Sequence, residues 1–313
     1  MRSRGSALPS VSSVEEASAL LAAAHAEGRS LRIGSDLTTE GLDRILEHET
    51  GDLTCTVEAG IRLSDLNAAL GKSGQRLSLD PPGDPTIGAL LAENVSGPLR
   101  HRFGAPRDQI LGVTLVLADG TVANAGGKVV KNVAGFDLAR LVCGSRGRLA
   151  LIARASFRLH PLPKAARTLV VETEDAASAA ARLLRSQLQP SALDVLHPGR
   201  VAVLFEGSER AVEAQLSAAR ALVGGSEVGS EVWSESRVRQ AGALGRIRFE
   251  PGGLSEMLSR LSEAIVRPAA GFAYAGEERP NGSDPQSPEA AERVRELVRR
   301  IELGLDPRGV FAA

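Results

Sequence analysis

The sequence predicts an α+β protein built in two parts, and three observations carry that prediction. Its 313 residues exceed what one simple core holds and fit about two domains. Before Pro163, short alternating apolar runs interleave with short capped helices, the mark of an α+β unit. After Pro163 the texture changes to a β-α-β-α order, which suggests a smaller α/β sandwich.

Each element has a local reason. Ser12 or Ser13 ahead of Glu15 and Glu16 reads as a capped helix start, and the helix through Val14, Ala17, Leu20, Leu21 and Ala24 stops at Gly28. Leu31-Arg32-Ile33 reads as a short strand entering a Gly34-Ser35 turn. Leu53 to Ala59 alternates like a half-buried strand, and Ser64-Asp65 caps a helix from Leu66 to Leu70. In residues 80–97 the prolines forbid regular structure up to Pro85, and Thr86 then caps a short helix through Ile87, Leu90 and Leu91. Residues 110–126 form a hairpin around Asp119-Gly120. Asp137 starts a helix stopped by Gly144, and residues 149–159 make a strand that His160-Pro161-Leu162-Pro163 ends.

In the second part, Thr168–Glu172 and Val201–Glu206 read as strands, with helices from Asp175 to Leu188 and from Ser208 to Val223. They predict a small open sheet with helices on one face. Residues 275–289 are a polar, Pro/Gly/Ser-rich linker. A last helix carries Val294, Leu297, Val298 and Ile301 at i, i+3, i+4 and i+7, which predicts a docked face. The expected divisions are residues 1–163, 164–274, a flexible linker at 275–289, and a C-terminal helix and tail at 290–313.

Composition excludes several function classes. A net charge of −1 offers no general attraction for nucleic acid or anionic membrane. Aromatics at 3% leave no base-stacking platform. Cys55 and Cys143 cannot make a disulfide framework, show no metal-ligand spacing and sit in apolar runs, so both are expected to be small buried side chains. No apolar run approaches signal-peptide or membrane-span length, and a cytoplasmic protein is expected. Of 37 basic residues only Lys72, Lys128, Lys131 and Lys164 are lysines, and two of them fall in the glycine-dense stretch 126–147.

That stretch, GGKVVKNVAGFDLARLVCGSRG, is the first candidate for function. Dense glycine lets backbone approach a ligand and presents N–H groups suited to phosphate; turns between strands are the alternative. A second candidate is the Thr86-Ile87-Gly88 turn, where helix-start N–H groups and the helix dipole attract a pyrophosphate. Neither segment fits a P-loop or a Rossmann fingerprint.

The order P-x-G-x-x-T-I-G, A-x-N-x-S-G, hairpin, GGKVVKNVAGFDL and G-S-x-G resembles the vanillyl-alcohol-oxidase-type flavoproteins with a PCMH-type FAD-binding domain. Within them GGKVVKNVAGFDLARLVCGS resembles the FAD-binding subunit of bacterial glycolate oxidase. The likeness covers residues 8–163, is weak over 164–270, and returns faintly in LDPRGVF. It implies a two-subdomain FAD-binding domain followed by the smaller α/β unit. It also implies that Gly34 and Ser35 sit in the first pyrophosphate turn. Pro82, Thr86, Ile87, Gly88, Asn94, Ser96 and Gly97 would line the second FAD loop. Asn132, Val133, Gly135, Asp137 and Leu138 would lie near the cofactor, with the Ile152 backbone close to the flavin or adenine end.

The chain departs from the family at Arg32-Ile33-Gly34-Ser35-Asp36, which has one glycine where relatives have a run and places a carboxylate near the expected pyrophosphate. No histidine follows that glycine, so FAD is expected to be non-covalent. The later turn and the tail also differ, reading Gly147-Arg148-Leu149-Ala150 and lacking an N-P-G-R ending. Oxidising a 2-hydroxy acid needs a flavin, a base and a cation for the carboxylate. Of the histidines His25, His48, His101, His160 and His197, only His197 lies beyond residue 163, in what reads as a surface turn. His101, between Arg100 and Arg102, reads as a solvated basic turn. The catalytic residue is therefore unknown and no metal is expected.

The resemblance implies an FAD-binding subunit serving glycolate or D-lactate oxidation, relaying electrons beside a larger flavin subunit and an iron–sulfur subunit, and meeting a membrane only through them. Two alternatives stay open: a self-sufficient flavin oxidoreductase using Lys128, Lys131 or His101, and a structural subunit that has lost FAD.

Overall fold

A computed structural model describes residues 9–127, 137–250, 252–276 and 288–311. The linker expected at 275–289 falls largely outside the described residues.

The first sheet is assembled from β1 (Ile45–Glu49), β2 (Thr54–Glu58), β4 (Ile110–Val116), β5 (Val122–Gly126) and β6 (Leu151–Arg158), antiparallel throughout in the order β1-β2-β6-β4-β5. Two-residue strands β3 (Gln75–Arg76) and β7 (His160–Pro161) pair separately. Alternation along β4 sends Leu115 to one core and Val116 to another, on opposite faces of the sheet. The first core takes in helices Leu63–Gly71 and Ile87–Glu93 with Phe157, and the second packs helix Val14–Glu27 on Leu151 and Ala153. That first helix is capped as predicted: Ser13 Oγ accepts from Glu16 N–H and Gly28 closes the end with φ 66°. Leu31–Ile33 is a correction. It makes only isolated bridges, Leu31 to Phe311 and Ile33 to Leu37, because its partner is a distant tail and not a neighbouring strand.

The second sheet comprises β8 (Ala165–Glu172), β9 (Ala192–His197), β10 (Arg200–Gly207), β11 (Ser226–Val228), β12 (Gly245–Arg248), β13 (Ala264–Arg267) and β14 (Phe272–Ala275). Its order is β11-β8-β10-β9-β13-β14-β12, again antiparallel. Helices Ala176–Arg185, Glu209–Val223 and Leu254–Ser259 cover one face. Helix Glu231–Ala241 covers part of the other through Val232 and Trp233, so the helices are not confined to one face. Its buried stripe also contains Ser236 and Gln240, a mixed polar pattern that apolar periodicity does not detect.

Several contacts join the two units, among them a bidentate ion pair and a carbonyl that takes two hydrogen bonds. Arg76 binds Glu206 with both nitrogens of its fork, at 2.9 and 2.7 Å. Gln240 and Arg267 both donate to the carbonyl of Ser96. The tail returns to the first unit: Leu31 N–H donates to Val310 O at 2.6 Å, and Val310 and Phe311 are buried in the core of helix Val14–Glu27. The helix before it, Pro288–Leu305, does not dock along its predicted face. Val294, Leu297 and Val298 are 47, 56 and 39% exposed, and the tail, not the stripe, supplies the anchorage.

Candidate functional site: a glycine-walled cavity in the first unit

A cavity of about 400 Å³ opens between the turn at Ile33–Gly34, the segment Thr38–Glu40, helix Ile87–Glu93 and the turn at Arg146–Gly147, with Ile152 at its back. Its walls stand close because they lack side chains. A β-carbon at Gly88 would lie 3.2 Å from both the β-carbon and the carbonyl oxygen of Ala59. Gly147, with φ +77°, sits where a β-carbon would meet Ile33 Cβ at 3.1 Å. Thr38 lines the cavity and holds its hydroxyl buried without a partner. A polar group in that state is costly unless a ligand or water completes it. Two arginines stand on the rim, Arg62 opposite Glu40 at 3.7 Å and Arg146 opposite Glu93 at 3.6 Å. A close-walled apolar slot with an orphaned hydroxyl and rim guanidinium groups suits an extended phosphate-bearing ligand.

Of the residues expected at the cofactor, Gly34, Thr86, Gly88 and Ile152 line this cavity together. Ile87 is fully buried in the core beneath it. Ser35 is exposed and Pro82 half-buried, and neither lines the cavity. Asn94 follows the helix with φ 48°, and its Oδ1 accepts from Arg107 N–H at 3.2 Å. Ser96 and Gly97 lie one turn further, at the junction with the second sheet. Asp137 caps helix Leu138–Val142 by accepting from Arg140 N–H at 3.0 Å, and Leu138 packs on the first core. Asn132, Val133 and Gly135 lie outside the described residues, as do Lys128 and Lys131.

The amide groups expected to be free are not. Ile87 N–H and Gly88 N–H donate to the Ile61 and Ala59 carbonyls at 2.9 and 2.6 Å, and Ala89 N–H to Thr86 Oγ1 at 3.3 Å. In the first turn, Ser35, Asp36 and Leu37 all donate to Arg32 O, and Gly34 donates to Leu37 O. Asp36 also accepts from Arg32 N–H at 2.9 Å, so its carboxylate braces the turn. What these turns offer a ligand is close approach. The donors that sequence reasoning missed are Thr38, Arg62 and Arg146; only Arg146 carried a signal, inside Gly144-Ser145-Arg146-Gly147.

His197 does not stand free, since its Nε2 contacts Leu261 O at 2.9 Å. His101 is half-buried, and burial pushes its imidazole below the usual range, which corrects the solvated turn read from its arginine neighbours. Burial pushes both thiols up to about 12, so Cys55 and Cys143 are inert packing groups as expected. Among the described residues no cluster of histidine, cysteine or carboxylate side chains could hold a metal, and no helix is long and apolar enough to cross a membrane.

Residues 36–126, which contribute two of the cavity's five walls, the segment Thr38–Glu40 and helix Ile87–Glu93, match the family model described as FAD binding domain. This chain carries a FAD-binding domain. Glycolate oxidase subunit GlcE of Escherichia coli (strain K12) is 33% identical over 218 residues, 66% of this chain and 61% of that protein. Glycolate oxidase subunit GlcD of Bacillus subtilis (strain 168) is 33% identical over 168 residues, 52% of this chain and 36% of the relative. The mitochondrial D-lactate dehydrogenase [cytochrome] 1 of Saccharomyces cerevisiae is 32% identical over 171 residues, 53% and 29% of the two chains. The chain thus spans less than two thirds of the length of these relatives. A solved alkyldihydroxyacetonephosphate synthase shares the fold, with a TM-score of 0.72 over 96% of this chain and 74% of its own at 16% identity. The FAD-binding domain and its relatives agree with the family resemblance carried by residues 80–147.

Proposed function

We propose that this chain is a cytoplasmic FAD-holding subunit of a 2-hydroxy-acid oxidoreductase, acting on glycolate or D-lactate beside a larger flavin subunit and an iron–sulfur subunit. The observation that carries the reading is the cavity itself: narrow glycine walls, an orphaned Thr38 hydroxyl and two rim arginines, with Thr38, Arg62 and Gly88 inside the segment that matches the FAD binding domain. Bound FAD would supply a two-electron acceptor. Gly88, Gly147 and Ile152 would hold it by close contact, Thr38 by a hydrogen bond, and Arg62 and Arg146 by charge at the pyrophosphate. The names of the relatives support the substrate class and the assembly.

The relay role rests on what lines the cavity. Its described lining contains no histidine, and its two carboxylates, Glu40 and Glu93, face arginines. Neither is placed as a free base to take a substrate proton. The purified chain is expected to bind FAD non-covalently, released by mild denaturation, and to reduce an electron-acceptor dye with neither glycolate nor D-lactate. Brisk dye reduction by the chain alone would overturn the relay, and failure to take up FAD would overturn the whole reading.

A further inference from the structure

In the loop that leaves the cavity, one carbonyl takes two hydrogen bonds from the second unit. Glu93 lines the cavity, and three residues later Ser96 O accepts from Gln240 Nε2 and Arg267 Nη1, both at 3.0 Å. Arg267 is 3% exposed and Asp194, 3.4 Å from its Nε, is fully buried. Arg267 Nη2 donates to Gln240 Oε1 at 2.6 Å, and its guanidinium lies 5.0 Å from the Tyr274 ring centre. From the first unit the same loop is clamped at Asp80: Leu99 N–H donates to Asp80 Oδ1 at 3.0 Å, and a β-carbon on Gly97 would fall 1.7 Å from Asp80 O.

A charged pair this deeply buried is an expensive way to stabilise a unit, because an apolar pair of the same volume usually does as well or better. Its geometry gives it another use. The side-chain forks of Arg267 and Gln240 brace each other, and the group outside their unit that both reach is Ser96 O. We propose that Gln240 and Arg267 are positioning residues for FAD: through the Ser96 carbonyl they fix the segment that continues from Glu93, the end of helix Ile87–Glu93 and part of the cavity lining. The second unit then sets the affinity of a cavity to which it contributes no lining residue. This inference rests on the FAD reading of that cavity.

The test is a titration of the whole flavin-free chain with FAD, followed by quenching of flavin fluorescence. Gln240→Glu keeps an acceptor for Arg267 but replaces the donor to Ser96 O with a carboxylate. It is expected to raise the Kd for FAD about tenfold, one hydrogen bond's worth. Gln240→Leu, which removes the donor without adding charge, is expected to weaken FAD in the same direction. Trp233→Phe is the structural control. It breaks the 2.9 Å bond from Trp233 Nε1 to Thr168 Oγ1 within the second unit while leaving both donors to Ser96 O in place, and should leave the Kd unmoved. Wild-type affinity in both Gln240 variants, or equal weakening by Trp233→Phe, would overturn the proposal. A wild-type chain that takes up no FAD would overturn the underlying reading as well, and is told apart because it needs no variant.

Discussion

Asp80 shows how one side chain at the junction gains a pH dependence from its surroundings. Burial pushes its carboxyl up to about 7, against the opposing pull of Arg267 and Arg237, while Asp194 pushes in the same direction as burial. The folded value lies above the unfolded 3.8, so between them the folded chain keeps a proton that the unfolded chain has lost. Stability therefore falls as pH rises from 3.8 towards 7 and levels off above it. Asp80→Asn keeps an oxygen to accept from Leu99 N–H and removes the titration. Urea melts at about pH 5 and about pH 8 should show the wild type losing stability across the interval and the variant losing less. None of this was legible in DPPGDPTIG, where Asp80 reads as an ordinary turn residue; its burial comes from the second unit, far away in sequence.

At the scale of elements, Arg76 on β3 and Glu206 on β10 form a bidentate pair with side chains only 17 and 8% exposed. Glu206→Gln would leave the Arg76 charge buried without its partner. It should cost roughly 3 kcal/mol in a denaturant melt, well above the value of a surface pair. Helix starts were the most legible elements. Ser13, Thr86, Asp137, Asp175 and Ser208 each accept a hydrogen bond from the backbone three residues on, because capping is decided within one turn of chain. β12 to β14 were not legible, since four-residue strands such as Gly245–Arg248 depend on neighbours that periodicity cannot see. The cavity was half legible. Gly34, Thr86, Gly88 and Ile152 follow from motif, whereas the pairing of the turn amides is tertiary and hidden.

On the scale of the whole molecule, the cavity's first turn is secured by residues from the far end of the chain. Asp306 accepts from Val310 and Phe311 N–H, Ser30 Oγ donates to Gly309 O, and Phe311 is 7% exposed against the first helix's core. Phe311→Ala should lower stability by about 3 kcal/mol and loosen FAD with it, read by a denaturant melt and by flavin retention on a desalting column. A variant that keeps full stability would mean that the tail only rests on the surface. The faint return of family likeness at LDPRGVF thus has a physical counterpart in packing.

The same tie imposes a timetable on the newborn protein. Ser30 and Gly309 are 279 residues apart, and ribosomes add about 5–20 residues per second, so roughly 15 to 55 seconds separate their synthesis. Throughout that interval Leu31 has no Val310 to bond, and the turn at Arg32–Asp36 waits beside helices and strands that are already made. The turn at Arg32–Asp36 therefore gains this support only once residues 306–311 have been made and have returned to residues 30 and 31.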